Sequence, residues 1–175
     1  NPVLDNIYSR RSVRNYIKDP VPADVLLEII KAGIYAPTAR NQQLWRFVVV
    51  TNKAEIDRYA DRTKQLWQNN ILIKVTAALG IEGKDLSRYA KMLGSPAVHL
   101  FHHAPALVFI FAPKVRLINE DCACAAENMM LAAKSMGIGS CWIGLADPLG
   151  SDKKTLGELN IPKGHRMMAT VVFGY

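Results

Sequence analysis

A chain of 175 residues, half of them hydrophobic, can bury one sizeable core but is too short for two ordinary domains. We therefore expect a single domain over residues 1–175. The longest apolar runs, such as Ala106 to Ala112, fall far short of the ~20 residues of a membrane-spanning helix, so no transmembrane segment is predicted. The net charge of +7 favours anionic partners, which include nucleic acid, phospholipid and phosphorylated small molecules.

The elements predicted in the first half of the chain are helices and one strand. Asn1 and Pro2 suit the cap and first turn of a helix that runs to about Ser9. In PADVLLEIIKAGIYAP, apolar residues recur at helical spacing and Pro37 ends the helix. The run WRFVVVT predicts a buried strand, and NKAEIDRYADRTKQLWQN returns to helical periodicity.

The second half of the chain begins with residues 71–103, where glycines and a proline interrupt helical fragments, and we interpret this segment as a candidate lid. A strand, ALVFIFA, precedes the clearest helix, INEDCACAAENMMLAAKSMGIG, which Gly137 and Gly139 stop. A strand, SCWIGL, a short helix, DKKTLGELN, and a last strand, RMMATVVFGY, complete the chain. This order predicts a central sheet flanked by helices.

The cysteines and the N-terminal residues bear on the cellular compartment. Cys122, Cys124 and Cys141 leave one thiol unpaired under any pairing and fit neither C-x-x-C nor a zinc spacing, so reduced, buried thiols are expected. The opening residues, NPVLDNIYSRR, lack the apolar core of a secretion signal. Cytoplasmic residence is therefore the expectation.

Several familiar catalytic and metal-binding patterns are missing from the sequence. It has no G-x-x-x-x-G-K-[ST] phosphate loop and no G-x-G-x-x-G after a strand, and GIGSCWIG does not fit G-x-S-x-G. His99, His102 and His103 could share a helix face, but no carboxylate lies nearby at ligand spacing. We interpret these histidines as structural and predict no metal site.

The stretch YSRRSVRNY concentrates positive charge without acidic neighbours. Arg10, Arg11, Ser12 and Arg14 supply the guanidinium groups and hydroxyl that a phosphate monoester dianion requires. Arginines also pair commonly with structural carboxylates, so the segment by itself leaves both interpretations open.

A stripe of small side chains also has two interpretations. The stripe lies on the alanine-rich helix and consists of Ala123, Ala126, Ala133 and Gly137. Small residues let another backbone approach closely, either within the chain or across a subunit interface. From the stripe alone, packing within the chain is the preferred interpretation.

Three blocks taken together, YSRRSVRNY, APTARNQQLWRF and GIGSCWIG, resemble the flavin-dependent nitroreductase family, and they span nearly the whole chain in the family's order. The resemblance implies an α+β fold, a three-layer sandwich whose central, mostly antiparallel sheet is flanked by helices. It also implies an intertwined homodimer that binds FMN in the groove between subunits, with the alanine-rich helix at the interface.

The resemblance also implies which residues bind FMN. Arg10 and Ser12 would meet the phosphate, Arg11 would add backbone contacts or charge, and Arg14 would lie at the pyrimidine edge of the flavin. The second block would reach the flavin from the other subunit, through Pro37, Thr38, Ala39, Asn41 and Gln43. The third block would lie under the ring, through Cys141, Trp142, Ile143 and Gly144.

Two departures from the family pattern affect these expectations. Leu44 stands where the family usually has proline, so a looser turn into the following strand is expected. Family members commonly continue into a short basic tail that adds a phosphate ligand, whereas this sequence stops at Tyr175.

The implied function is an FMN-dependent oxidoreductase that passes hydride from NADH or NADPH through flavin N5 to an electron-poor acceptor, such as a nitroaromatic or a quinone. No side chain is predicted to be a catalytic acid or base. The alternatives are a flavin-dependent dehalogenase or flavin-consuming enzyme and a non-catalytic FMN-binding protein. A basic nucleic-acid-binding domain is least favoured, because Trp45, Phe47 and Trp142 lie within strand patterns, and we expect neither nucleic acid nor membrane as a partner.

Overall fold

The structure, a computed structural model, describes residues 1–69 and 93–175. Its helices are α1 (Pro2–Ser9), α2 (Ala23–Ile34), α3 (Lys53–Asn69), α4 (Ile118–Ser135) and α5 (Lys153–Glu158). Its strands are β1 (Arg46–Val50), β2 (Ala106–Pro113), β3 (Gly139–Trp142) and β4 (His165–Gly174). Short 3₁₀ segments lie at Ala39–Asn41 and Gly144–Ser151. The predicted order of elements is confirmed within the described residues.

The four strands form one sheet in the order β1-β2-β4-β3. The β1–β2, β2–β4 and β3–β4 pairs are all antiparallel. A single parallel bridge joins Ser12 to Ser140 at the β3 edge. These pairings confirm the predicted central, mostly antiparallel sheet.

Strand β2 shows why the sheet lies between two helical layers. Its side chains alternate, so Val108 and Ile110 pack with α2 and α4, whereas Leu107 and Phe109 pack with α3 on the opposite face. Both faces of β2 are fully buried, which accounts for its unbroken apolar sequence. The predicted three-layer sandwich is therefore confirmed.

Helix α4 ends where its glycines predict, and its stripe of small residues is only partly buried. It ends at Ser135, and Gly137 then adopts a φ of 76°, a left-handed conformation that suits glycine. Ala126 and Ala133 are buried in the core of this chain, whereas Ala123 and Gly137 are exposed. Half of the stripe thus serves packing within the chain.

The strand predicted over SCWIGL is also shorter than expected. β3 ends at Trp142, and Gly144–Ser151 forms a 3₁₀ segment instead. The N–H of Ile143 still donates to the Thr170 carbonyl at 2.8 Å, after which the N–H of Ala146 turns back to the Ile143 carbonyl. Glycine and proline residues in GLADPLG favour this turn over continued pairing.

Two further predictions concern membrane-spanning helices and the candidate lid. Within residues 1–69 and 93–175, none of the helices combines the length and the apolar character needed to cross a bilayer. The candidate lid over residues 71–103 falls largely on residues 70–92, outside those described. The lid and the single-domain organisation stay predictions.

Candidate functional site

The arginine-rich segment lies along the β3 edge of the sheet. The N–H of Val13 donates to the Ser140 carbonyl at 2.9 Å, and the N–H of Ile17 donates to the Tyr175 carbonyl at 2.9 Å. These two bonds fix the segment between them, including Arg14, against β3 and the residue that follows β4.

Two glycines allow this close approach. A Cβ on Gly139 would lie 2.9 Å from Cγ2 of Val13, and a Cβ on Gly174 would lie 2.8 Å from Cδ1 of Tyr16. Both distances are shorter than ordinary van der Waals contact, so a larger residue at either position would displace the segment. The glycine of the third sequence block therefore helps to position the first block.

A cavity of about 500 Å³ opens beside this segment, a size typical of small-molecule sites. One wall is formed by Arg14 and by Cys141, Trp142, Ile143 and Gly144. The other wall is formed by Val98, His99, Leu100 and His102. The structure thus brings Arg14 together with the whole predicted block Cys141–Gly144.

The first wall of the cavity offers a cation and open space. Among the described residues, the exposed Arg14 guanidinium has no ion pair and no hydrogen bond. A Cβ on Gly144 would meet nothing within 4 Å, so the space in front of this residue is open. Burial raises the pKa of Tyr16, whose hydroxyl donates to the Val13 carbonyl at 2.6 Å, so Tyr16 stays protonated at neutral pH.

The other basic residues lie around a second, smaller cavity of about 300 Å³, which Arg10, Arg11 and Lys134 line. The Nε of Arg10 lies 3.6 Å from a Glu127 carboxylate oxygen. Arg10 therefore pairs with a carboxylate of its own chain, which is one of the two interpretations of this segment. The Arg11 guanidinium donates to the Tyr8 and Arg10 carbonyls at 2.6 and 2.8 Å, at the end of α1. Ser12 is exposed.

The second sequence block lies elsewhere, beside the start of α4. The N–H of Ala39 donates to an Asp121 carboxylate oxygen at 3.0 Å, and the N–H of Gln43 donates to the Thr38 hydroxyl at 3.3 Å. Pro37, Asn41 and Gln43 are exposed, and none of the block lines the 500 Å³ cavity. Within one chain, the structure does not bring this block together with the other two.

Leu44 and the residues before it define the turn into β1. Arg40, Asn41 and Gln43 have left-handed φ values of 56°, 54° and 49°. Leu44, in place of the family's usual proline, is half-buried and packs against the core on the α2–α4 side of the sheet. Leu44 thus packs the end of this turn against the core, and the looser turn stays a prediction.

Sequence reasoning found the histidines of the second wall but missed the carboxylate that partners His99. The Nε2 of His99 lies 3.0 Å from Asp57 Oδ1, and its Nδ1 accepts the N–H of His103 at 3.1 Å. The carboxylate partner comes from α3, far away in sequence, so local ligand spacing could not reveal it. Burial and the neighbouring His103 lower the pKa of His99, although Asp57 opposes this shift.

Asp57, His99 and His103 also offer ligand atoms within 4.8 Å of one another, a spacing that a metal ion could use. Because Nδ1 of His99 accepts a hydrogen bond, the proton of the neutral ring lies on Nε2 and is donated to Asp57. A metal at Nε2 would normally require the proton on Nδ1, where the N–H of His103 stands. The geometry therefore fits a hydrogen-bonded histidine better than a metal ligand.

Comparisons with known proteins address the family and the fold of this chain. The model of the Nitroreductase family matches residues 7–175. A solved nitroreductase with bound FMN from Bacteroides fragilis is 35% identical, with a TM-score of 0.83 over 100% of this chain and 88% of that one. A second, from Desulfitobacterium hafniense, is 23% identical, with a TM-score of 0.80 over 100% and 89% of the two chains.

A relative from Archaeoglobus fulgidus, provisionally named an NADH dehydrogenase/NAD(P)H nitroreductase, is 29% identical over 98% of this chain and 84% of its own. Together with the family model, which matches all but the first few residues, this similarity identifies the chain as a member of the nitroreductase family.

Proposed function

We propose that the protein binds FMN and transfers hydride from NADH or NADPH to an electron-poor organic acceptor, such as a nitroaromatic or a quinone. The observation that carries the proposal is the cavity in which Arg14 meets the block Cys141–Gly144. The related structures with bound FMN and the relative named for NAD(P)H support the choice of cofactor and co-substrate.

The residues of the cavity fit a flavin in charge and leave open space at Gly144. When bound, FMN supplies the atom that accepts and passes on hydride, together with negative charge in its reduced form. Arg14 is a cation without a partner among the described residues, suited to stabilising that charge. The N–H of Ile143 is already bonded to Thr170, so Gly144 is the better candidate for a backbone donor to the ring.

The phosphate is assigned to the second cavity. Arg10 is the best candidate for a direct phosphate contact, because its ion pair with Glu127 is long and partly exposed. Ser12, two residues further along the chain, is exposed and could add its hydroxyl. Arg11, whose guanidinium bonds two carbonyls at the end of α1, contributes mainly charge and support for this turn.

The first test is the spectrum of the purified protein. We expect a yellow, flavin-type absorbance that NADH or NADPH bleaches and that a quinone or nitroarene restores. Cofactor released by denaturation should run as FMN in chromatography, because the basic segment suits a terminal monophosphate. FAD or the lack of any flavin would contradict the proposal, and a flavin that NAD(P)H does not bleach would favour a passive binder.

A homodimer is the second part of the proposal. No residue of α1 is buried, and Val3 and Tyr8 are each 66% exposed. Tyr35, at the end of α2, is 78% exposed. Apolar surface of this kind is typical of interfaces, and we assign it to a second copy of the chain. The partner's copy of the exposed block Pro37–Gln43 would then complete the cavity.

Ile7→Lys is expected to convert the dimer to a monomer, since it places a charge within the exposed apolar surface of α1. The same variant should lose most of its FMN, because the partner's loop would be missing from the site. Light scattering and flavin absorbance measure the two effects. Ala54→Lys, the same change of charge on the exposed face of α3, is the control and should remain a flavin-bound dimer. A monomer that keeps its flavin would refute the shared site.

A further inference from the structure

We propose that His102 takes up a proton when FMN bound in the 500 Å³ cavity is reduced, so that His102 and Arg14 share the compensation of negative charge. The proposal rests on the proposed function, since it requires FMN in this cavity. His102 belongs to the second wall of the cavity, which lies outside the three sequence blocks that resemble the family.

The position of His102 supports this role. His102 lines the cavity together with Cys141–Gly144 and is half-buried. Within residues 1–69 and 93–175, its ring makes no hydrogen bond, so its nitrogens are available to solvent or a ligand. Arg14 lines the same cavity and is close enough to influence the titration of His102.

The turn around His102 is fixed although its backbone is unusual. His102 and His103 have consecutive left-handed φ values of 53° and 56°. The N–H of His102 donates to the His99 carbonyl at 2.9 Å, and the N–H of Ala104 donates to the Phe101 carbonyl at 3.0 Å. Such conformations persist where surrounding structure imposes them, often at functional sites.

His99 is the positioning residue of this turn. Both of its ring nitrogens are engaged, one with Asp57 and the other with the His103 N–H, and its ring stacks on that of His103 at 4.1 Å. With no free nitrogen, His99 cannot also bind a ligand in this arrangement. Its hydrogen bonds instead hold the segment that carries His102 against α3.

The charged and titratable groups around His102 come from several elements. Arg14 acts on it from the N-terminal segment and His99 and His103 from its own turn. Cys141 lines the same cavity, and Asp57 is bonded to His99. Burial, the Arg14 charge and the two histidines lower the pKa of His102, so its ring is neutral at about pH 7. Negative charge on a reduced flavin acts in the opposite direction and favours the protonated ring.

The number of protons taken up on reduction predicts how steeply the midpoint potential depends on pH. Hydride transfer brings two electrons and one proton to the flavin, and His102 binds one further proton from water at a ring nitrogen. Each proton taken up with two electrons lowers the midpoint potential by ~30 mV per pH unit, since one pH unit is a tenfold change in proton concentration. Two protons therefore give ~59 mV per pH unit.

Redox titrations of the holoenzyme between about pH 7 and pH 8, where His102 is neutral before reduction, test this inference. The native protein should show a slope near ~59 mV per pH unit, and His102→Asn should show ~30 mV per pH unit with its FMN still bound. His103→Asn removes the exposed neighbouring imidazole and should keep the native slope. Equal slopes in the native protein and His102→Asn would overturn the proposal. A preparation that binds no FMN would instead refute the proposed function.

Discussion

Arg14→Gln is expected to retain most of the FMN affinity while the two-electron potential of the bound flavin falls by ~30 mV for each ~1.4 kcal/mol of lost stabilisation. The reason is that the Arg14 guanidinium lines the cavity without an ion pair among the described residues, so its charge is available to the cofactor. Arg10→Gln should have the reverse effect, weakening FMN binding by ~1 to 3 kcal/mol with the potential nearly unchanged.

Redox titration at saturating FMN and equilibrium binding of FMN to the apoprotein separate these two effects. Glu127→Gln is the matched control for Arg10, because it removes the carboxylate that lies 3.6 Å from Arg10 and leaves the guanidinium in place. If Glu127→Gln weakens FMN binding as much as Arg10→Gln does, the role of Arg10 is to pair with Glu127. An unchanged potential in Arg14→Gln would remove Arg14 from the groups that tune the flavin.

Phe109→Ala is expected to lower the free energy of unfolding by about 4 kcal/mol, which is the range for deleting a large buried aromatic side chain. Phe109 is fully buried in the middle of β2, and its ring packs edge-on against that of Tyr59 with centroids 5.7 Å apart. Urea unfolding of the native protein and the variant measures the difference.

Phe109→Leu provides the control for this stability prediction. It keeps most of the apolar volume, so we expect a smaller loss, on the order of 1.5 kcal/mol. A loss below about 2 kcal/mol in Phe109→Ala would show that α3 can close over the vacated space, and that the α3 layer is less tightly packed than the structure indicates.

The layers of the fold were predictable because they depend on local patterns. The apolar run of β2 signals burial on both faces, and Gly137 marks the end of α4 because its left-handed φ suits glycine. The ends of elements were less predictable. β3 stops at Trp142 because the following residues form turns, although apolar residues continue in the sequence through Ile143 and Leu145.

The candidate site was predictable only where sequence blocks carry it. Arg14 and Cys141–Gly144 came from such blocks, and the structure places them around one cavity. The hydrogen bond behind the second wall was missed, because His99 lies in a turn and obtains its partner Asp57 from α3, and neither residue has a local signal of that contact. Long-range hydrogen bonds of this kind follow from the packing of α3 and not from spacing along the chain.

The anchoring of Arg14 has a consequence for the order of folding. The segment that carries it is held by hydrogen bonds to Ser140 and Tyr175, which belong to the opposite end of the chain. Contacts so distant in sequence close a long loop and form slowly compared with local ones. During synthesis the arginine-rich segment emerges before β3 and β4, so it has no edge to pair with until both strands have left the ribosome. Cofactor binding in this cavity would therefore report a completed sheet, and a nascent or truncated chain without β4 would not acquire it.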